Sequence, residues 1–409
     1  MKAFVIAGGV PQIELIKQLK ERGITTVLAD GSPNAVAKPF CDQFYQVNIF
    51  DIEAVKEIAE KEKVDFLITV CADQVLLVVA EVSEILGLPC YIDFKTTQDV
   101  SDKIRMKRIF REAGIPTTKF VETDHLDLFG IRGLEYPLVV KPVDAYSSRG
   151  VRKADNWEEL QEYYTEAKEI SRTGGVIVEE YFAGEELSVD AFAIDGKDKV
   201  LAVTNSDKVK YDDRFVIFRG RYPADVSDLV MKKIETIAQQ IVDSFKLVNA
   251  PILIQLLQNG DDLSVLEVCA RTGGNMKWLL IKHSCGVDVI KATIDITLGL
   301  KPDLTIRDTG HKVVTNDYIY CWPGVFDHFQ GVEKMKEEGL INEFHPARIK
   351  GTKFTGTTNS GDRIAGMNIV ADSFEDFNRK EKRILDSIKV IDDKGNDILR
   401  RDLLPRLRR

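Results

Sequence analysis

Over residues 1–95, short apolar runs alternate with stretches whose apolar positions recur every three to four residues. The runs at 3–7, 25–29, 66–70 and 90–92 predict strands. The helical spacing of Ile13, Leu15, Ile16 and Leu19 predicts a helix stopped by Gly23, with further helices over 51–61 and 74–86. Strand–helix alternation at this spacing predicts a parallel sheet with crossover helices. A helix over 101–113 starts at Ser101-Asp102 and stops at Gly114. Strands are then predicted at 137–142, 176–178, 187–193, 200–205 and 214–221, and an amphipathic helix at 229–245. Residues 250–269 form two apolar, β-branched runs around Asn259-Gly260, a dipeptide suited to the positive φ of a tight hairpin. A helix over 287–298 ends at Gly299. Beyond 309 the pattern predicts strands at 313–322, 341–352 and 362–371 and helices at 332–338 and 373–388. The fold class is therefore multidomain α/β and α+β. A Rossmann-like N-terminal parallel domain occupies 1–99 and a small α+β domain occupies 310–409.

Composition narrows the class of partner. The 409 residues carry a net charge of −9, against the basic face usual in nucleic-acid binders. No apolar run approaches the ~18 residues of a membrane span. The opening MKAFVIAGG lacks the apolar core of a secretion signal. Six cysteines occur without a C-x-x-C pair, as expected of free thiols in a reducing cytoplasm. A dinucleotide site with Asp30 on a ribose is disfavoured, because Ala7-Gly8-Gly9-Val10-Pro11 lacks the G-x-G-x-x-G spacing. The N-terminal sheet reads instead as a scaffold whose edge helps to form a substrate pocket.

Chemistry concentrates in four stretches. In the hairpin, strand alternation puts Gln255 on one face and aligns Glu267, Cys269 and Arg271 on the return strand. Oxygen donors such as Gln255 and Glu267 suit Mg²⁺, and an adjacent guanidinium suits phosphate. The glycines of Thr272-Gly273-Gly274 allow close approach of a ligand to the backbone. Lys141 lies in the apolar strand PLVVKP, where a lysine is costly unless paired, and the loop VDAYSSRGV comes after it. The acidic stretch VIVEEYFAGEELSVD reads as strand, ordered linker, strand, with the linker suited to clamp a planar base. Arg219 and Arg221 share a strand face and are candidates to hold a substrate carboxylate, with surface ion pairs as the competing reading. Lys103, Arg105, Lys107 and Arg108 read as a solvated helix face, and only the stretches farther along the chain set Lys103, in the first turn, apart from the others. The C-terminal part shows no motif that demands chemistry, and Cys321 and Trp322 read as core.

Taken in order, these residues resemble the ATP-grasp superfamily, which includes biotin carboxylase, carbamoyl phosphate synthetase, D-alanine–D-alanine ligase and the L-amino-acid ligases. The resemblance covers roughly residues 1–310. It implies a two-lobed ATP-grasp domain over 100–309, with 118–186 a mobile nucleotide-covering lobe. It implies that Lys103 and Lys141 hold ATP phosphates and that Ser147, Ser148 and Gly150 lie in the phosphate-covering loop. Glu179 would receive the adenine amino group, the backbone at Glu180 and Phe182 would read the ring edge, and Glu186 would hold the ribose. Gln255 and Glu267 would ligate Mg²⁺, with Mn²⁺ as a substitute. Arg271 would stabilise the transferring phosphoryl group, with Lys141 beside it, and Gly273 and Gly274 would sit on the substrate side. Cys269 stands where many members have an asparagine ligand, and a thiol is a poor magnesium ligand.

The implied activity is an ADP-forming carbon–nitrogen ligase that activates a small-molecule carboxylate as an acyl phosphate and joins it to an amine. A bicarbonate or carbamoyl-phosphate-type activation and a degenerate ATP-binding regulator are the rival readings. Dimers are common in the family, so a homodimer is one assembly the resemblance allows while the oligomeric state stays open; no nucleic-acid or membrane partner is expected.

Overall fold

The N-terminal alternation folds as its pattern predicts. Strands β1 (Lys2–Ile6), β2 (Thr25–Asp30), β3 (Gln43–Gln46) and β4 (Phe66–Ile68) form a parallel sheet in the order β3-β2-β1-β4. Helices α1 (Val10–Glu21), α2 (Ile52–Glu62) and α3 (Asp73–Leu86) connect them or come after the last strand. The Asp51 carboxylate caps α2 by accepting from the Ala54 N–H at 3.1 Å. The short β3, polar at both ends, gave no apolar run to detect. Residues 90–92 make no strand. The Tyr91 hydroxyl instead donates to the Ala270 carbonyl at 3.0 Å, and Ile92 enters the core beneath the central sheet. This link fastens the N-terminal domain to the hairpin.

In this computed structural model the described residues are 1–122, 126, 130–145, 149–211, 214–274, 276–357 and 359–403. Helices α4 (Phe94–Ser101) and α5 (Lys103–Ala113) meet at Asp102, whose carboxylate caps α5 by accepting from Ile104 and Arg105 N–H at 2.8 and 3.0 Å. The helix expected from Ser101 onward is thus two helices, and Lys103 opens the second. Strands β5 (Phe120–Glu122), β6 (Leu138–Pro142), β7 (Arg152–Ala154) and β8 (Val176–Glu180) form a small antiparallel sheet ordered β5-β8-β6-β7. Helix α6 (Trp157–Ile170) buries Leu160, Tyr163, Tyr164 and Ala167 against it, a stripe at helical spacing.

The remaining strands build the frame of the molecule. These are β9 (Glu185–Ile194), β10 (Lys197–Tyr211), β11 (Arg214–Tyr222), β12 (Ala250–Asn259), β13 (Asp262–Cys269), β14 (Val313–Ile319), β15 (Gly324–Gln330), β16 (Glu343–Pro346), β17 (Lys353–Phe354), β18 (Ala365–Ala371) and β19 (Lys389–Asp392). Eight of them join one sheet in the order β13-β12-β9-β10-β11-β14-β18-β16, so strands after residue 310 extend the sheet of the central domain. The others form the short sheet β17-β15-β19. Helices α7 (Asp228–Ser244), α8 (Lys277–Cys285), α9 (Val289–Thr297), α10 (Val332–Glu337) and α11 (Phe374–Ser387) complete the described elements. The strand expected over 341–352 stops at Pro346, which has no N–H to continue a ladder. Cys321 is core, as its type implies, whereas Trp322 is exposed with the Arg400 guanidinium 4.1 Å from its ring centre.

The predicted hairpin is present. Gly260, at φ +58°, turns β12 into β13, and Gln255 lies directly opposite Glu267. A bulge at Gln255/Leu256 shifts the register beyond it.

Candidate active site

Two adjoining cavities lie between the small sheet, the large sheet and the ends of the N-terminal strands. The first, about 640 Å³, is walled by β8, the linker 181–184, the start of β9 and parts of β10 and β11, with Val139, Leu257 and Leu266 as apolar surfaces. The linker runs tightly along the end of β12: a Cβ on Gly184 would come within 2.5 Å of the Gln258 carbonyl oxygen. Backbone polarity is left over here. The Tyr181 N–H donates to Pro137 at 2.9 Å, while the Phe182 N–H has no partner among the described residues. Apolar walls beside an N–H without a protein partner are what a planar base could use, within a lining that also carries many charged side chains.

The second cavity, about 560 Å³, shares Lys141, Val151, Glu186, Ser206, Lys208 and Leu266 with the first. It reaches the loop after β1 (Ala7, Gly9), the start of α3 (Cys71 to Val75), Gln255, Glu267, Arg271, Gly273 and Gly274. The N-terminal sheet meets it at the carboxyl ends of β1 and β4, as expected of an open parallel sheet.

Buried charge organises the boundary between the two. Glu179, 2 % exposed, accepts from Lys141 at 3.1 Å and from Lys107 at 3.0 Å, and the Thr118 hydroxyl donates to it at 2.8 Å. Burial raises its carboxyl, but the two ammonium groups outweigh burial and hold it at about 2. The Glu179 side chain is therefore committed to lysines, and any contact with an adenine amino group would have to come in addition to them. Lys107 corrects the reading of α5 as a solvated face. It is 1 % exposed, and it also touches Thr117 and Thr118.

Lys103 donates to the Ala145 carbonyl at 2.8 Å and stands 3.7 Å from Glu267. Glu186 accepts from the Gln255 amide at 3.0 Å and from Lys208. The Glu180 side chain turns away to Lys119 at 3.1 Å. Gly150, at φ +72°, packs against Pro142 and Ile170 and lines neither cavity. Ser147 and Ser148 lie outside the described residues.

Arg271 is gripped by Asp73 at the first position of α3 and donates to the Thr272 carbonyl at 2.9 Å. Burial would lower its guanidinium, but the Asp73 carboxylate overcomes that and keeps it charged. Cys269 is pushed well above its ordinary value, first by burial and then by Asp73, so it is a protonated thiol. That leaves the Glu267 carboxylate and the Gln255 amide as oxygen donors on the hairpin. No group of three or more histidine, cysteine, aspartate or glutamate residues among the described residues could hold a metal by itself. The donor set fits Mg²⁺ in its usual mode, one or two protein oxygens with phosphates and water completing the shell. Gly273 must stay small: a Cβ would lie 2.6 Å from Lys277 Cγ and 3.0 Å from Asp190 Oδ1.

The two substrate-arginine candidates separate. Arg219 is fully buried in a knot with Asp317, at 2.8 Å through both Nε and Nη2, and with Glu381 of α11. It lines neither cavity, so it is neither a substrate ligand nor a surface ion pair. Arg221 lies on the edge of the first cavity, 3.7 Å from Asp207, away from the glycine loop. Sequence reasoning missed Asp73, Lys107 and Lys277, and also Arg348 and Arg363 from the C-terminal part, all of which reach this region. Lys277 donates to Asp190 at 3.0 Å beside Gly273. An Asp at a helix start reads as a cap and a lysine in a cationic helix as solvated, so only the tertiary partners distinguish them.

Residues 134–278 match the ATP-grasp domain family, and residues 4–88 match the PylC-like N-terminal domain. The chain is 23 % identical over 295 residues to the carbamoyl phosphate synthase large chain of Clostridium acetobutylicum, covering 69 % of this chain but only 26 % of that one. It thus spans about a quarter of that relative's length. It is 24 % identical over 276 residues to the formate-dependent phosphoribosylglycinamide formyltransferase of Shewanella frigidimarina, covering 66 % and 68 % of the two chains. The crystal structure of the L-amino acid ligase from Bacillus licheniformis superposes with a TM-score of 0.79 at 21 % identity, over 96 % of this chain and 98 % of that one.

Proposed function

Because this chain belongs to the ATP-grasp superfamily through its matched domain, we propose that it is an ADP-forming ligase that joins a small carboxylic acid to an amine. The observation that carries this reading is the pairing of the two cavities across Lys141, Glu186, Lys208 and Leu266. A base held in the first cavity by the linker 181–184 would direct its phosphates past Lys141 into the second. There Lys103, Arg271 and the Glu267–Gln255 pair line the wall.

In the proposed reaction a carboxylate oxygen of the acid attacks the γ-phosphorus of ATP. The bond to the β-bridging oxygen breaks and ADP leaves. The amine then attacks the acyl phosphate carbon, phosphate departs with the bonding electrons, and the amine proton passes to solvent. Phosphoryl transfer of this kind asks the protein mainly for position and positive charge. Lys103 and Lys141 supply charge along the phosphates. Arg271, oriented by Asp73, supplies it where the transferring group develops negative charge. Mg²⁺, held by Glu267 and Gln255 when bound, neutralises phosphate oxygens. Cys269 contributes no ligand and no nucleophile, being a buried neutral thiol.

The test is ADP release with MgATP over a matrix of carboxylic acids and amines. At least one pair should raise turnover, and Arg271→Lys should lower kcat by about 10²–10³-fold for that pair, as loss of a placed transition-state donor does. If MgATP binds and no pair raises ADP release above background, the ligase reading is wrong.

A further inference from the structure

The cations that line the second cavity fall into two groups. Lys103, Lys141, Lys208, Arg271 and Lys277 each face a carboxylate: Glu267, Glu179, Glu186, Asp73 and Asp190 respectively. Arg348 and Arg363 do not. Among the described residues neither forms an ion pair. Arg363, 7 % exposed, donates from Nε to the Tyr320 hydroxyl at 3.0 Å and from Nη2 to the Ile217 carbonyl at 3.2 Å. Its guanidinium lies on the Tyr318 ring, 3.6 Å from the centroid. Arg348 donates to the Ala347 and Gly361 carbonyls at 3.0 and 2.6 Å. Asp362, the acid whose charge Arg348 feels, has its carboxylate turned to the Asn359 N–H at 3.1 Å.

Every partner of these two guanidinium groups is therefore neutral. Each of them spends two of its five N–H donors on the protein. Arg363 Nη1 and Arg348 Nε have no protein partner among the described residues, and neither belongs to the buried atoms left without one, so both remain reachable from the cavity. An oriented pair of forks on a cavity wall, with only neutral hydrogen-bond partners, is a receptor for an anion. The planar guanidinium matches carboxylate or phosphate oxygens two at a time.

We propose that Arg348 and Arg363 together form an anion subsite, so that the substrate of this cavity carries an anionic group besides the carboxylate that is activated. This rests on the ligase reading and narrows it to acids with a second carboxylate or a phosphate ester. Tyr318, Tyr320 and the Ile217 carbonyl fix the Arg363 fork in advance, so little side-chain freedom is lost on binding.

Calorimetric titration of the full chain tests the assignment, with succinate and inorganic phosphate as probes and acetate as the singly charged reference. Each is run with and without a Mg²⁺-bound non-hydrolysable ATP analogue, which fills the phosphate positions near Lys103 and Lys141. Succinate or phosphate should bind at least tenfold more tightly than acetate, and the tighter of the two identifies the group as carboxylate or phosphate. Arg363→Gln and Arg348→Gln should each weaken that probe by about 10- to 100-fold, the range for a bond to a charged group, while analogue binding is retained. Arg363→Lys, which keeps charge but loses the fork, guards against misfolding and should recover only part of the affinity. Equal binding of all three probes to the wild type, or unchanged binding in the Gln variants, overturns the proposal. Loss of analogue binding in the wild type would remove the ligase reading while leaving the arginine subsite tested by the titrations without analogue.

Discussion

Glu179 and Glu381 are both buried carboxylates beside basic side chains, and the fold treats them in opposite ways. Around Glu179 two lysines serve one carboxylate, and its carboxyl is held at about 2. Around Glu381 one arginine serves two acids. Arg219 is engaged through both Nε and Nη2 by Asp317, Asp207 adds further negative charge, and burial pushes the Glu381 carboxyl up to about 7. The same residue types are thus combined in inverse proportion. At the cavity boundary the surplus is positive and borders open space that phosphates can enter. In the knot between the large sheet and α11 the surplus is negative and sealed, so it can act only on the fold. A buried ion pair reveals its role by the sign of what is left over and by whether a ligand can reach it.

Three perturbations test that contrast, in order of expected size. Arg219→Met removes the single cation of the knot and strands Asp317 and Glu381; it should cost about 3–5 kcal/mol in denaturant unfolding. Lys107→Met leaves Glu179 with Lys141, so the expected cost is about 1.5–3 kcal/mol. It should also weaken MgATP, because Lys141 is then fully occupied by Glu179. A larger stability loss for Lys107→Met than for Arg219→Met would break the contrast.

The third is a pH window. The folded value of Glu381, about 7, lies above its ordinary 4.5. The stability associated with its neutral form is complete below about 4.5 and is lost as pH rises through about 7. Glu381→Gln keeps an uncharged acceptor for Arg219 and has nothing to lose, so its advantage over the wild type should grow across that window by about 1–3 kcal/mol and then level off. Unfolding curves at pH 4.5, 6 and 8 measure it, and a constant difference would mean that Glu381 is ionised throughout.

Much of the fold was legible because local signals and tertiary needs coincide in it. The parallel N-terminal sheet, the caps at Asp51 and Asp102 and the Asn259-Gly260 turn each follow from spacing and backbone preference. The opposition of Gln255 and Glu267 was legible only as proximity: a two-residue turn alone would set Gln255 opposite Leu266, and the bulge at Gln255/Leu256, which no local signal announces, moves it opposite Glu267. Charged residues were legible only where a neighbour in sequence gave them meaning. Lys107 looked like a surface group, and Arg219 like a substrate ligand or a surface ion pair, because their partners lie 72 and 98 residues away. Arg348 and Arg363 carry no motif, and only the continuation of the large sheet past residue 310 brings them to the cavity. Residues 90–92 misled in the other direction. Ile92 is buried in the core, Cys90 and Tyr91 are half-buried against it and the Tyr91 hydroxyl is anchored to Ala270, so the run needs no strand partner.

The eight-stranded sheet also has a geometric consequence. Glu267 on β13 and Arg363 just before β18 are separated by six strand spacings, which in a flat sheet would be about 29 Å at about 4.8 Å each. Yet both line one cavity of about 560 Å³. The sheet must therefore be rolled, and its register breaks at Val200/Ala202, Asp207/Lys208 and Gln255/Leu256 are points where strands bend. On the proposed reading, curvature at these bends in β10 and β12 then sets the span between the phosphate end and the arginine end. If the two proposals hold, the sheet is a ruler for substrate length, and deleting the bulge at Val200/Ala202 would recalibrate it without altering a residue that lines the cavity.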